Sequence, residues 1–412
     1  MSDIIVGLDV GTSVVRVAIG ELTADGKIEI IGLSHKKSQG LRNGAIVNLE
    51  AASAIIKEAV DAAEQNAGFE VESCVAAIGG PQIECKNSRG QAAVSKRGKD
   101  NGEITRADVD RVIENARSIP IAPDKEILHV IPKSYTVDQV DGIKDPINMM
   151  GVRLETEIHI VTASKTAIQN IRDCVNRAGY DLDRIMQKTL AAAQAVVHQD
   201  EMELGSILID LGAGTTDVLV LHNGAPLTSF SLKNCGYYVT NDIAIVKGIP
   251  PAAAEEIKVN DGCCFLDMLD DPREVTIPGV GGRPPELSSQ TEICEIIQPR
   301  MEEIFMTVRS EIVRKTDLTR LSGNIILTGG GAQMEGVLEL AMNVFGTKAV
   351  RLGIPESLGG IEEDYRKPEW ATAIGLVVSQ KDAVIQAAKA PKAKTRQGPS
   401  GNIWQKLKKA FF

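Results

Sequence analysis

The chain reads as an α/β protein with two similar lobes and further subdomains inserted into them. Three observations carry that reading. Asp9-Val10-Gly11-Thr12-Ser13 and Asp210-Leu211-Gly212-Ala213-Gly214-Thr215-Thr216 repeat one short pattern in the two halves of the chain. Each copy follows an apolar run (Ile4 to Leu8; Ile207 to Ile209) and precedes another (Val14 to Ile19; Val218 to Leu221), the grammar of strand, tight turn, strand. A third segment, Asn324 to Gln333, runs from a buried-type strand into Gly329, Gly330 and Gly331, after which Met334 to Leu340 begins a helix.

Glycine lets a turn take positive φ or approach a ligand closely, and successive turn N–H groups form an anion-binding concavity. The carboxylates at the turn entrances, Asp9 and Asp210, suit Mg2+, which takes one or two carboxylates plus waters and phosphate oxygens. Two such turns facing each other would clamp a nucleoside triphosphate, with the glycine triplet as bare backbone under adenine and ribose.

The other elements follow in order. Val14–Leu22 and Ile28–Leu33 complete a meander. Ala52, Ile55, Ile56, Ala59, Val60 and Ala63 recur at helical spacing within 49–67, and Val75 to Gly80 is a buried strand. Residues 85–163 read as an insertion: Thr105 caps a helix through about Arg117, with Asp108 as an acidic capping-box variant. Strand-like stretches follow at Glu126–Pro132, Tyr135–Val140 and Ile158–Ala163, and a helix at Lys165–Ala178 resumes the first lobe. Thr189–Val197 and Trp370–Leu376 are helices rich in small residues, which allow the close crossing a hinge between lobes requires. A second insertion, 227–303, holds helical Thr240–Lys247 and Ala252–Lys258 and a Gly/Pro-rich loop at Pro278–Pro285. Ser289–Leu318 is one long amphipathic stretch that Pro299 should kink or break. Residues 384–402 lose periodicity and gather proline and glycine, as a linker does.

At 412 residues and 43% hydrophobic content the chain can bury more than one core. Its net charge of −10 argues against general nucleic-acid affinity. Seven cysteines at irregular spacing, with no Cys-x-x-Cys pair, read as reduced and mostly buried thiols. His35, His129, His159, His198 and His222 are scattered and offer nothing catalytic. The first strand begins within about three residues of Met1, too early for a signal peptide, and no run approaches the roughly 18 apolar residues of a bilayer span.

Charge is distributed unevenly. After Asp382 there is no acidic side chain, while Lys389, Lys392, Lys394, Arg396, Lys406, Lys408 and Lys409 are all basic. Asn402 can cap a last helix in which Ile403, Trp404, Leu407, Ala410 and Phe411 share a face, with lysines on the flanks and Phe412 at the end. A short basic amphipathic helix with aromatics is the pattern of an interfacial membrane anchor. Each lysine near an anionic surface contributes about 1 kcal/mol, and roughly 8–10 kcal/mol of apolar burial is offset by an ordering cost of similar size. One copy would therefore bind reversibly, and several on one polymer firmly. The competing reading is a tail helix docked on the body or on a protein partner.

Taken in order, the two hairpins, the glycine triplet and the two hinge helices resemble the phosphate-one, phosphate-two, adenosine and connecting motifs of the actin-like ATPase superfamily. The fold this implies is an actin-like two-lobed α/β fold, duplicated ribonuclease H-like cores with inserted subdomains. Ile127–Pro132, Gly151–Glu155, Ile257–Cys263, Val280–Pro285 and Ile297–Arg300, together with the lipid-seeking end, extend the resemblance to the FtsA family of bacterial cell-division proteins. It covers 4–383 and 402–412. The resemblance implies subdomain 1A at 1–84, 164–197 and 363–383, an inserted 1C at 85–163, and 2A at 198–226 and 304–362. It implies 2B at 227–303, the linker at 384–402 and the membrane helix at 403–412.

The same resemblance implies ATP and Mg2+ as ligands and self-association into filaments on anionic inner-membrane lipid. It further implies a peripheral position on the cytoplasmic face at the division site, tethering of the tubulin-like FtsZ ring through the FtsZ C-terminal peptide, and contacts with other division proteins. By motif position Asp9 and Asp210 would hold Mg2+ through water, and Gly11, Thr12, Ser13, Gly212, Ala213, Gly214, Thr215 and Thr216 would cradle phosphates. Gly329, Gly330, Gly331 and Gln333 would lie against the nucleoside, and Gln194 and Asp217 would order an attacking water, with hydrolysis slow or unmeasurable. Two pairs keep two readings each. Glu255 and Lys258 frame adenine or ribose, or form a solvated ion pair; Arg283 and Arg300 meet an acidic partner peptide on 227–303, or hold a turn and a helix start. Ile403, Trp404, Lys406, Leu407, Lys408, Lys409, Phe411 and Phe412 would meet lipid. The alternatives are a pilus-assembly adaptor of the same architecture and a small-molecule kinase of the same fold.

Overall fold

A computed structural model describes residues 3–97, 100–316 and 323–389. The expected membrane helix, 403–412, and the part of the expected linker beyond Lys389 lie outside the described residues.

Two five-stranded sheets organise the protein, and they are built alike. In the first lobe Asp3–Val10 lies between Val14–Leu22 and Ser73–Ile78, with Ile28–Lys37 and Asp181–Gln187 at the edges. In the second, Ser206–Leu211 lies between Thr216–His222 and Ile325–Thr328, with Ala225–Leu232 and Val350–Leu352 at the edges. In both, the first three strands form an antiparallel meander and the last two run parallel to the first. Every residue of Ser206–Leu211 is buried, as expected of a strand covered on both faces. The duplicated α/β core is therefore present in strand order and sense.

Lys188–Val196 and Ala371–Lys389 are the helices expected at a hinge, and they cross so closely that a Cβ on Gly375 would lie 1.8 Å from the Ala191 carbonyl oxygen. The second of them continues to Lys389, so residues 384–389 are helical where a linker was expected. Alanine, glutamine and lysine sustain a helix there, and the first breaker is Pro391.

The first insertion has its own sheet, in which Lys125–Val137 and Arg153–Ser164 are central and Val140–Ile143 and Ile83–Ala93 lie outside. Helix Arg106–Arg117 covers it through Val109, Val112, Ile113 and Ala116, against Leu154, Ile158 and Ile160. Asp108 closes the helix start by accepting from the Thr105 N–H (3.0 Å) and hydroxyl (2.6 Å). The stretches expected at Glu126–Pro132 and Tyr135–Val140 are joined in one strand as far as Val137, because a register shift between Pro132 and Ser134 absorbs the proline; a turn at Asp138 then leaves Val140 to begin the next strand.

The insertion also docks on the far lobe. Cys85 Sγ and His159 Nε2 approach Ser229 Oγ at 2.7 and 3.3 Å, and Asn87 Nδ2 donates to the Leu227 carbonyl (2.9 Å). Burial holds His159 down to about 4, so this junction is a neutral hydrogen-bonded one. Both contacted residues sit on the edge strand Ala225–Leu232, so the second insertion starts after Leu232 rather than at 227. It comprises Gly236–Lys247, Pro251–Asp261, the hairpin Glu274–Ile277 with Glu286–Ser289, and the start of Gln290–Thr316. That last helix passes through Pro299 without ending, and through the expected boundary at 303. Ile293, Ile297, Met301, Ile304, Phe305, Val308 and Ile312 form one continuous buried stripe that holds it together. All seven cysteines are free, six of them buried and Cys85 half-buried.

Candidate nucleotide site

The turns of the two hairpins face each other across a cavity of about 530 Å³ between the lobes. A Cβ on Gly214 would sit 2.3 Å from Thr12 Oγ1, so the second turn is glycine where it meets the first. Thr12 Oγ1 accepts from the Gly44 N–H (2.9 Å), which fixes the first turn. Asp9, Gly11, Thr12 and Ser13 line the cavity from one side, and Asp210, Gly212, Ala213 and Thr216 from the other. Gly214 and Thr215 lie behind this wall: Thr215 donates to Asp217 Oδ2 (2.7 Å) and packs on Gly44 and Gly80. Thr216 lines the cavity while its hydroxyl donates to the Asn234 carbonyl (2.6 Å).

The third element closes the far wall. Gly329, at φ +82°, passes so near the second hairpin that a Cβ would lie 2.2 Å from Asp210 Oδ1. Gly330, Gly331 and Gln333 line the same wall. The Gln333 amide donates to Glu369, which pairs with Arg16 at 3.2 Å, and Arg16 lies 5.8 Å from the Trp370 ring centroid. Glu255 and Lys258 line the cavity as well. They pair at 2.7 Å, with Lys258 also donating to Thr240 Oγ1 (2.9 Å); the Lys258 side chain is 10% exposed and that of Glu255 41%, so the pair stands at the rim with only its acid in solvent.

Two expected residues do not meet the cavity. Gln194 lies on helix Lys188–Val196, about 9 Å along the axis from its first residue. Asp217 has both oxygens engaged, Oδ1 by the Gly80 N–H (3.0 Å) and Oδ2 by Thr215, so it ties the lobes together rather than reaching into the cleft. The helix start supplies what sequence reasoning missed. Lys188 Nζ lines the cavity 3.2 Å from Asp210 Oδ2 and 3.8 Å from Asp9 Oδ1. Immediately before it, Gln187 is buried with an unpartnered Oε1, its N–H donating to His129 Nε2 (3.0 Å). The readable signal was the junction of strand Asp181–Gln187 with a helix, since side chains at such ends open into an inter-lobe cleft.

Electrostatics favour a cation. Burial pushes the carboxyls of Asp9 and Asp217 up, with Lys188 opposing in both cases and Asp210 adding to the rise. Burial would lower Lys188, yet Asp210, Asp9 and Asp217 together hold it above the ordinary lysine value. With Arg16 paired to Glu369 and Lys258 to Glu255, the acids left facing Lys188 in the cavity are Asp9 and Asp210, and Asp210 Oδ2 makes no hydrogen bond, its contact with Lys188 being an ion pair alone. That donor set fits a water-bearing Mg2+ held by Asp9 and Asp210. Among the described residues no cluster of three or more His, Cys, Asp or Glu side chains forms a closed metal site.

The two arginines expected at a partner peptide are already engaged. Arg283 Nη2 donates to the Gly248 carbonyl (3.0 Å), while Arg300 binds Asp242 (2.6 and 3.2 Å) and lies over the Tyr238 ring. Both therefore hold local structure, Arg283 on an exposed loop and Arg300 on a half-exposed helix face.

Known proteins match this chain along most of its length. Residues 80–162 match the family described as "SHS2 domain inserted in FTSA", and residues 207–375 the family described as "Cell division protein FtsA". Cell division protein FtsA of Pseudomonas aeruginosa is 38% identical over 91% of this chain and 88% of its own. That of Borreliella burgdorferi is 40% identical over 91% and 90%, and that of Escherichia coli K12 35% identical over 91% and 89%. Among solved structures, a PilM–PilN type IV pilus biogenesis complex aligns at TM-score 0.65 with 16% identity, covering 91% of this chain and 97% of that one. MreB5 of Spiroplasma citri bound to ADP aligns at TM-score 0.54 with 13% identity, covering 94% and 99%. These structures share the actin-like fold, and the three relatives, each at least 35% identical over 91% of this chain, bear one name: the chain belongs to the FtsA family of cell-division proteins.

Proposed function

We propose that this protein binds ATP with Mg2+ in the inter-lobe cavity and uses the nucleotide as a conformational and polymerisation ligand. On this reading it assembles into filaments on anionic inner-membrane lipid at the division site and tethers the FtsZ ring there, where other division proteins join it. One observation carries the proposal: two acid-bearing glycine turns, from two like-built lobes, face each other across one cavity with a glycine bed on its third side. MreB5 of Spiroplasma citri, of the same fold, was solved bound to ADP. Hydrolysis is slow or absent, because Gln194 stands away from the cavity and Asp217 is fully hydrogen-bonded. The FtsZ C-terminal peptide would dock on the second insertion, where Arg283, exposed with donors to spare, and Arg300, held by Asp242, would receive it beside or in place of their present partners. Family membership favours this reading over a pilus adaptor or a small-molecule kinase.

Membrane attachment rests on the sequence of Ile403 to Phe412, which lies outside the described residues; among those described, no helix is long and apolar enough to cross a membrane. The test is co-sedimentation with anionic liposomes and ATP, comparing the chain with a truncation after Ser400. Pelleting by the full chain alone is expected; equal pelleting by both would remove the anchor.

A further inference from the structure

Lys188 is the first residue of its helix, and no acidic residue occupies the first turn. The amino end of a helix carries partial positive charge, so a lysine there works against local stability. Its side chain is 18% exposed, which adds a desolvation cost. Local rules broken without local gain mark a functional position. What the lysine gains lies across the cleft: Asp210 at 3.2 Å and Asp9 at 3.8 Å, one from each hairpin. The surroundings make room for it. A Cβ on Gly79 would press on Lys188 Cβ at 3.2 Å and Cδ at 3.4 Å, so the lysine stem runs over a bare backbone. Arg16 is directed elsewhere, to Glu369 and Trp370, and Lys258 to Glu255, which leaves Lys188 as the cation between the two turns.

We propose that Lys188 is a built-in counter-cation of this site. It neutralises the facing acids when no nucleotide is bound and turns its ammonium to the terminal phosphates when one enters, so that nucleotide affinity depends only weakly on divalent metal. This rests on the nucleotide reading above and adds to it a residue and a metal dependence. The move is short: Nζ already lines the cavity beside Gly11, Thr12 and Gly212, at the end of a flexible four-carbon stem. An ammonium meets phosphate as a point charge and needs no bidentate geometry. The acids it leaves would then face Mg2+ where the metal is present, and the lysine alone would hold the phosphates where it is not.

The experiment titrates the full chain with a fluorescent ATP analogue, in Mg2+ and in EDTA, for the wild type, K188M and K188R. Removing Mg2+ is expected to weaken the wild type by less than about tenfold and K188M by about a hundredfold or more, with K188R close to the wild type. A second readout needs no nucleotide: melting of K188M should rise on adding Mg2+, since bare acids then bind the ion, while the wild type barely responds. K188M keeps the length of the stem, and circular dichroism checks its fold. Equal Mg2+ dependence of wild type and K188M in both readouts, or K188R behaving as K188M, overturns the proposal. Failure of the wild type to bind the analogue even with Mg2+ overturns the nucleotide reading, and the lysine's role with it.

Discussion

The two hairpins occupy the same place in two like-built sheets, yet different charges face their acids. Asp9 lies opposite Arg16 in the first hairpin; Asp210 lies opposite Asp217 in the second. Opposite charges across a ladder stabilise it, and like charges cost about as much, roughly 0.2–1 kcal/mol in either direction. The first hairpin is therefore balanced within its own lobe, with Arg16 held by Glu369 and the Trp370 ring. The second imports its balance: Lys188 reaches Asp210 and the Gly80 N–H reaches Asp217, both from the first lobe. The lesson is that contact between the lobes compensates the second hairpin, so opening the cleft costs it more than it costs the first.

Substitutions on either hairpin test this asymmetry. The largest effect is expected from G214V, whose branched side chain cannot occupy the space 2.3 Å from Thr12 Oγ1. It should force the turns apart and cut nucleotide affinity about a thousandfold, while circular dichroism stays native. Unchanged affinity would mean that the turns do not grip one ligand between them. Next is E201Q, a control for an acid compensated on the spot in the second lobe. Glu201 accepts from Arg351 (2.7 Å), Asn324 (2.7 Å) and the His198 N–H (3.0 Å). Burial would raise it, but these donors bring it down to about 2 from 4.5. A lowered carboxylate stabilises the fold above its unfolded value and loses that contribution as pH falls from 4.5 towards 2. E201Q should thus cost about 3 kcal/mol at neutral pH in urea melts and almost nothing near pH 2. The cleft acids Asp9 and Asp217, raised by burial, slope the other way: their contribution is lost as pH rises. Third come D210N and D9N. Each should weaken binding in Mg2+ by about two- to fivefold, within the less than tenfold that the metal contributes. D210N removes a like-charge neighbour and should leave ligand-free stability intact; D9N removes a charge that burial opposes and leaves Arg16 still paired with Glu369, so it should not lower that stability either.

Most of this architecture was legible because its signals are local. Helices at 49–67 and 165–178 appear with the expected bounds, since apolar spacing, an Asn48 or Ser164 cap and a left-handed Gly68 or Gly179 all lie within one segment. The hairpins, the glycine bed and the hinge helices were legible for the same reason. What escaped depends on contacts between distant segments. Pro299 reads as a breaker, but a buried stripe on both sides keeps its helix whole. Strand Ala225–Leu232 reads as the start of an insertion, because only pairing with Thr216–His222 shows that it is a sheet edge. Lys188 carries no motif at all, and only its distance to two acids from different lobes gives it meaning. Gln187 and Lys188 were not singled out because the helix start is a boundary that propensity alone leaves loose in an alanine-rich run.

The smallest effect is expected at Arg16, in the first hairpin. If charge opposite Asp9 is what balances that hairpin, R16K should keep the balance, because an ammonium on the same strand position still faces the carboxylate. What it gives up is the stacking over Trp370, at 5.8 Å, and the planar contact with Glu369. Those are worth about 0.5–1 kcal/mol of stability at a partly exposed site, visible as a small fall in melting temperature, with Mg2+-dependent affinity held within about twofold. R16Q removes the charge as well, and should lower ligand-free stability further than R16K, since Glu369 loses its partner and Asp9 the charge opposite it. If R16K instead weakens binding as much as D9N does, the guanidinium matters through geometry, by steadying Glu369 and with it the Gln333 side of the glycine bed. The contrast between the hairpins would then be one of shape, and Lys188 would be the only charge that the cleft requires.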